Sequence, residues 1–273
     1  MLYVTYTLNF LLMIAIPVVV AIVLRRRLGV RWSLFAWGAV AFVGSQVVRL
    51  PLLFGLTALF RAGALPHVPD SIVTPFNIAV LCLTAGIFEE GARYFVYRRF
   101  ISTARSWKEG VAFGTGHGGI EAVLLGLFTG WGLMQMFALR GVDLATLPLQ
   151  ADQLAALQKQ VADFWSAPWY LTLLGAVERV FAICLHISLA LLVLQAFTRR
   201  RIVWLFAAMG WHALVNAVAV SLLPVIGPLG TEGVLGIMAL ISIGIVVALR
   251  RIEREAATAA EAASTGAAAS VKY

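Results

Sequence analysis

Charged residues are scarce: Asp, Glu, Lys and Arg make up 12% of the 273 residues, against about 25% in a soluble domain. With 61% apolar residues and a mean hydropathy of +0.91, that shortage excludes both an ordinary water-soluble globule and a disordered chain. Cysteine is nearly absent. The two present, Cys82 and Cys184, lie inside apolar runs, which leaves no disulfide framework or Cys-rich metal site and reads them as packing residues. There is no internal repeat at a fixed period, no Gly-rich phosphate loop followed by Lys, no Ser or Cys nucleophile motif, and no HExxH helix of the soluble zinc-protease kind.

What the chain does have is long apolar runs. Spans read at about residues 3–24, 33–60, 72–97, 109–137, 168–197, 202–222 and 231–249, each long enough for a bilayer core of about 30 Å. The expected fold is therefore all-α: a polytopic membrane bundle of about seven helices, with the lipid bilayer as its solvent. The first run has no basic residue before it and Arg25, Arg26 and Arg27 after it, the reverse of a secretory signal peptide, so it is expected to remain in the mature protein. A net charge of +8 does not point to a nucleic-acid partner, because the basic residues cluster at span ends. Fifteen Lys and Arg fall in alternate loops on one side, and only Arg61, Arg140 and Lys159 on the other. The positive-inside rule then places the N-terminus outside and the C-terminus in the cytoplasm. Residues 1–254 read as one transmembrane domain with a core at about 72–222, and residues 255–273 as an Ala-rich cytoplasmic tail expected to be disordered. Between spans four and five, residues 150–166 place Leu154, Leu157, Val161, Phe164 and Trp165 on one face, as an interfacial helix would.

Ionisable groups inside a bilayer are expensive and mark function or tight pairing. Span three carries Glu89, Glu90 and Arg93; span four His117 and Glu121; span five Glu178, Arg179 and His186; span six His212 and Asn216. Three of the four histidines are thus intramembrane, and only His67 is in a loop. Counted from the nearest basic cluster, Glu90, His117, His186 and His212 lie 8 to 13 residues in. At about 1.5 Å per residue that is one layer some 12–20 Å deep. Glu89 and Arg93, His117 and Glu121, and His212 and Asn216 are each spaced i, i+4, so each pair shares a helix face. Gly86, Gly91, Gly114, Gly116, Gly118, Gly119 and Gly210 surround the layer and permit close approach of backbones. Glu178 lies above the layer and with Arg179 reads as a structural pair. Arg49, beside Pro51, reads as a snorkelled or kink-associated charge.

Neutral imidazoles with a carboxylate suit Zn²⁺, which in a catalytic site keeps a position for water and lowers its pKa. His117, His186 and His212 are the expected ligands, with Glu121 a further ligand or an orienter of His117. A carboxylate that is not a ligand can then take a proton from the attacking water. Two adjacent glutamates point about 100° apart, so one faces the water while the other pairs with Arg93. Glu90 is taken as the base and Glu89 as the partner of Arg93.

The ordered motifs EExxR (Glu89, Glu90, Arg93), FxxxH (Phe113 to His117) and HxxxN (His212 to Asn216) resemble the intramembrane glutamate metalloproteases of the CAAX-processing and bacteriocin-processing group. The blocks GHGGIEA and ERVxAxxxH are most similar to its YhfC branch. This resemblance covers residues 86–216 and implies a multi-span helical bundle that hydrolyses peptide bonds in or near the membrane. It implies the glutamate pair as the water-activating site and His117, His212 and Asn216 as the metal or oxyanion site, with His186 a further ligand of the YhfC-like variant. Only Gly91 and Ala92 separate the pair from Arg93, one residue fewer than in the wider group, which turns Arg93 by about 100° around the helix.

The leading expectation is a zinc-dependent intramembrane endopeptidase that acts on a membrane protein or a lipidated, hydrophobic peptide. Two other classes share these residues: a seven-span zinc hydrolase of lipid amides, and a proton-coupled or metal transporter. The first would be favoured by a Ser and an Asp in the layer, and the spans contain no Asp. The second usually has two related halves, and no such pairing is present.

Overall fold

The computed structural model describes the backbone of residues 1–270 and the side chains of residues 1–259. Among the described residues, six helices are long and apolar enough to cross a membrane: α1 (Leu2–Leu28), α2 (Trp32–Arg61), α3 (Val73–Arg99), α4 (Trp107–Ala138), α6 (Leu174–Thr198) and α7 (Val203–Ser270). Between α4 and α6 lies the shorter α5 (Ala151–Ser166). The exterior is apolar, with Phe54, Phe128 and Trp131 between 59% and 73% exposed. A surface of that kind is stable only against lipid. The chain is a multi-pass membrane protein.

The expected spans 202–222 and 231–249 are not separated by a loop. They are two arms of α7, which bends at Gly227 (φ 70°, ψ 178°) with Pro224 and Pro228 on either side. The residue before a proline is driven out of the helical region, and glycine alone tolerates the positive φ at little cost. Counted by arms, the bundle has seven spans. The expectation of a disordered end over 255–273 falls largely on residues outside the description; residues 255–259 are exposed and continue the helix. On α5, the five residues expected on one face are the half-buried ones there. Phe164 stacks on Tyr6, whose hydroxyl donates to the Phe164 carbonyl at 2.8 Å.

The centre of the bundle is α6, with 61% of its apolar window buried against 17–28% for the other spans. It packs on α1, α3, α4 and α7, and α4 packs in turn on α1 and α2. The α2–α4 crossing is set by two glycines. A Cβ on Gly116 would stand 2.0 Å from the Phe35 carbonyl oxygen, and one on Gly38 would stand 2.1 Å from that of Phe113. The two backbones therefore touch one residue away from His117. Gly118 leaves room for the His186 ring, and Gly86 for the Met209 backbone on α7. Gly91 and Gly210, expected to serve helix approach, meet nothing within 4 Å.

Candidate metal centre

The four polar stripes do converge. Glu89, Glu90, Arg93, His117, His186 and His212 are all buried, with exposures of 5% or less. An interior without water requires each of them to find partners among the others, and Arg93 is the hub. Its Nη1 donates to both oxygens of Glu90 at 2.7 and 2.8 Å, its Nε to His117 Nδ1 at 3.2 Å, and its Nη2 to His186 Nδ1 at 2.6 Å.

The i, i+4 pairing expected of Glu89 and Arg93 is replaced by an i, i+3 pair of Glu90 and Arg93. The reason is what surrounds the helix. Arg93 turns inward to reach α4 and α6, and Glu90 accompanies it and also accepts from His212 Nδ1 at 2.8 Å. Glu89 turns toward α2 and α4, where Oε1 accepts from Gln46 Nε2 at 3.1 Å and Oε2 lies 3.1 Å from His117 Nε2.

These contacts fix the ring tautomers. Arginine only donates, so Nδ1 of His117 and of His186 accepts, and each neutral ring carries its proton on Nε2. That proton faces Glu89 in His117 and Glu121 in His186, the latter at 2.6 Å. In His212 the order is reversed. The Glu90 carboxylate only accepts, so Nδ1 carries a proton, and Nε2 lies 4.0 Å from Glu89 Oε2.

One turn from this layer, Arg179 joins Glu121 at 2.8 Å and also Glu178. The pair read as structural thus reaches the site through Glu121. On the other side Arg49 is not snorkelled: its Nε donates to Thr84 Oγ1 at 3.2 Å and its Nη2 to the Leu81 carbonyl at 2.9 Å. Gln46 went unnoticed in the sequence, although it stands three residues before Arg49 on the same face of α2.

A cavity of about 500 Å³ opens beside the layer. Glu89, Glu121, His186, His212 and Asn216 lie on its wall, and apolar side chains such as Phe42 and Leu235 complete it. Glu90 and Arg93 do not reach it. Asn216 is half-buried there and makes no side-chain hydrogen bond among the described residues.

Glu89, His117 and His186 each offer a ligand atom, and the three atoms lie within 4.8 Å of one another. One carboxylate and two imidazoles, buried and with Glu89 and His186 on the cavity wall, fit a divalent metal with three protein ligands and an open position. Binding at either Nε2 would replace its proton, so metal uptake and proton release are linked. Of the four ligands expected from the sequence, His117 and His186 belong to this group. His212 stands beside it, and Glu121 contacts it through His186.

The sequence model of the family described as YhfC intramembrane metalloprotease matches residues 12–251. A relative in Bacillus subtilis (strain 168), named "Uncharacterized membrane protein YhfC", is 33% identical over 207 residues, covering 75% of this chain and 79% of its own. No solved structure matches. The match runs from the middle of α1 to the second arm of α7 and takes in every residue of the buried layer, so the chain belongs to the YhfC intramembrane metalloprotease family.

Proposed function

We propose that the protein is a zinc-dependent intramembrane endopeptidase that hydrolyses a peptide bond of a membrane-anchored or lipidated, hydrophobic peptide. The observation that carries the reading is the buried Glu89, His117 and His186 group opening on a largely apolar cavity. The family's name supports the metal and the protease. Zinc at such a centre supplies Lewis-acid chemistry, lowering the pKa of a coordinated water to about 7 and polarising a carbonyl.

The chain's own residues divide the remaining work. Of the two glutamates, Glu89 has access: it lines the cavity, and only its Oε1 is held by an amide. Glu90 is fully buried and committed to Arg93 and His212. The geometry therefore favours Glu89, rather than Glu90, as the carboxylate beside the attacking water, where it would serve as a ligand of the metal through Oε2. Glu90 then holds the Arg93 guanidinium and fixes the His212 ring through Nδ1. Asn216, on the cavity wall one turn beyond His212, has an amide to offer a developing oxyanion. The apolar wall would take substrate side chains and exclude bulk water.

The test uses purified full-length protein in liposomes, with cleavage of membrane-protein candidates and zinc content measured on the same preparations. Glu89→Gln should lose stoichiometric zinc and, with it, cleavage, while folded protein is recovered in wild-type yield. Glu90→Gln should lose less activity and more stability. Normal cleavage by both variants would sink the hydrolase reading, and a larger catalytic loss in Glu90→Gln would exchange the two roles.

A further inference from the structure

We propose that Gln46 of α2 is a positioning residue of the metal centre, fixing the Glu89 carboxylate from outside the ligand group, and that Arg49 fixes Gln46. The proposal rests on Glu89 being part of that centre. The two ends of a glutamine amide are nearly equal in size and opposite in hydrogen-bonding sense. What decides the orientation here is Arg49, whose Nη1 donates to Gln46 Oε1 at 3.3 Å. A guanidinium cannot accept, so the amide oxygen must face it and the amide nitrogen must face away. That nitrogen donates to Glu89 Oε1 at 3.1 Å and to Ser45 Oγ at 3.2 Å.

Arg49 is itself held by α3. Thr84 Oγ1 donates to the Val80 carbonyl at 2.7 Å and accepts from Arg49 Nε at 3.2 Å, while the Leu81 carbonyl accepts from Nη2 at 2.9 Å. The path leaves α3 at Leu81 and Thr84, crosses to α2, and returns to α3 at Glu89. Helix α3 thereby orients its own carboxylate through a neighbour. With Oε1 tied to Gln46, Oε2 is the oxygen left to face His117 Nε2 and His212 Nε2. Arg49 has no carboxylate partner among the described residues, so nothing in the structure competes with Gln46 for it as an ion pair. Residues that hydrogen-bond a metal ligand without touching the metal set its orientation, and losing one typically lowers metal affinity about 10–100-fold.

A mere tie between α2 and α3 would predict a stability effect alone. The experiment measures Zn²⁺ affinity by competition with a chromogenic chelator, on full-length protein in detergent, alongside the thermal midpoint of the metal-free protein. Gln46→Met, similar in length but without an amide, should bind Zn²⁺ about 10–100-fold more weakly. Arg49→Met should lower affinity by a smaller factor in the wild-type background and by none in the Gln46→Met background, since two residues acting in series are not additive. Gln46→Leu repeats the loss should Gln46→Met not yield folded protein. Wild-type affinity in both Gln46 variants, or an equal Arg49→Met effect in both backgrounds, would overturn the proposal and leave the protease reading standing. Absence of Zn²⁺ binding by the wild type would overturn both.

Discussion

Removing Arg93 should be among the most damaging single changes in the bundle. The side chain is fully buried, it neutralises a fully buried Glu90, and it donates to two ring nitrogens on α4 and α6. Arg93→Met keeps most of the apolar stem and removes every one of these donors. Breaking a buried pair by deleting one partner costs about 3–5 kcal/mol, because the surviving charge is left uncompensated. Both imidazoles can shift a proton in response, so their contribution is smaller, and the Glu90 term sets the scale. At about 2–4 °C per kcal/mol, the midpoint for loss of monodisperse protein on heating in detergent should fall by at least about 6 °C. The double variant Glu90→Leu with Arg93→Met removes both charges and should recover much of that loss, since apolar replacement of a whole buried pair is often neutral or stabilising. Arg93→Lys keeps the charge but not the fork, and one ammonium cannot span partners on three helices, so it should fall between. An Arg93→Met midpoint equal to wild type, or a double variant worse than the single one, would refute the hub.

Two further outcomes follow from the helix crossings and from the charge pattern. Gly116→Ala places a methyl 2.0 Å from the Phe35 carbonyl oxygen, so α2 must move off α4 at a cost of about 1–3 kcal/mol, whereas Gly91→Ala meets nothing within 4 Å and should be neutral or gain up to about 1 kcal/mol from helix propensity; thermal midpoints of the two variants compare them directly. The excess of basic residues in alternate loops, fifteen against three, predicts an active cytoplasmic reporter at the C-terminus and an external one near Gly141, and the opposite pair of signals would invert the bundle in its membrane.

Much of this arrangement is legible in the sequence because bilayer burial makes polar residues conspicuous. Glu89, Glu90, His117, His186 and His212 can be assigned to one layer by counting residues from the basic clusters. Which of them bond to each other is another matter, because a one-residue change of spacing turns a side chain by about 100° and the choice belongs to the neighbouring helices. Spacing favours Glu89 with Arg93, and the positions of α4 and α6 favour Glu90. Gln46 escaped for a different reason: an uncharged amide in an apolar span looks unremarkable until its i, i+3 relation to Arg49 is set beside the polar pairs on the other helices. The bend in α7 was hidden by its own residues. A stretch with two prolines and two glycines between 224 and 230 reads as a loop, and packing keeps both arms helical up to a single non-helical residue, Gly227.

The pairing of Glu90 with Arg93 on one helix also bears on how the chain enters the bilayer. Helices are delivered in chain order, so α3 arrives before α4, α6 and α7 exist to meet it. Each exposed charge at a span's centre costs about 2.5–3.5 kcal/mol on the insertion scale. A partner three residues away on the same helix travels with Glu90 and offsets part of that cost from the outset. The Glu121 and Arg179 pair has no such arrangement, since its halves lie on α4 and α6. Glu121 must wait through the synthesis of α5 for its counter-charge, which makes the arrival of α6 the step at which the last of these charges is neutralised.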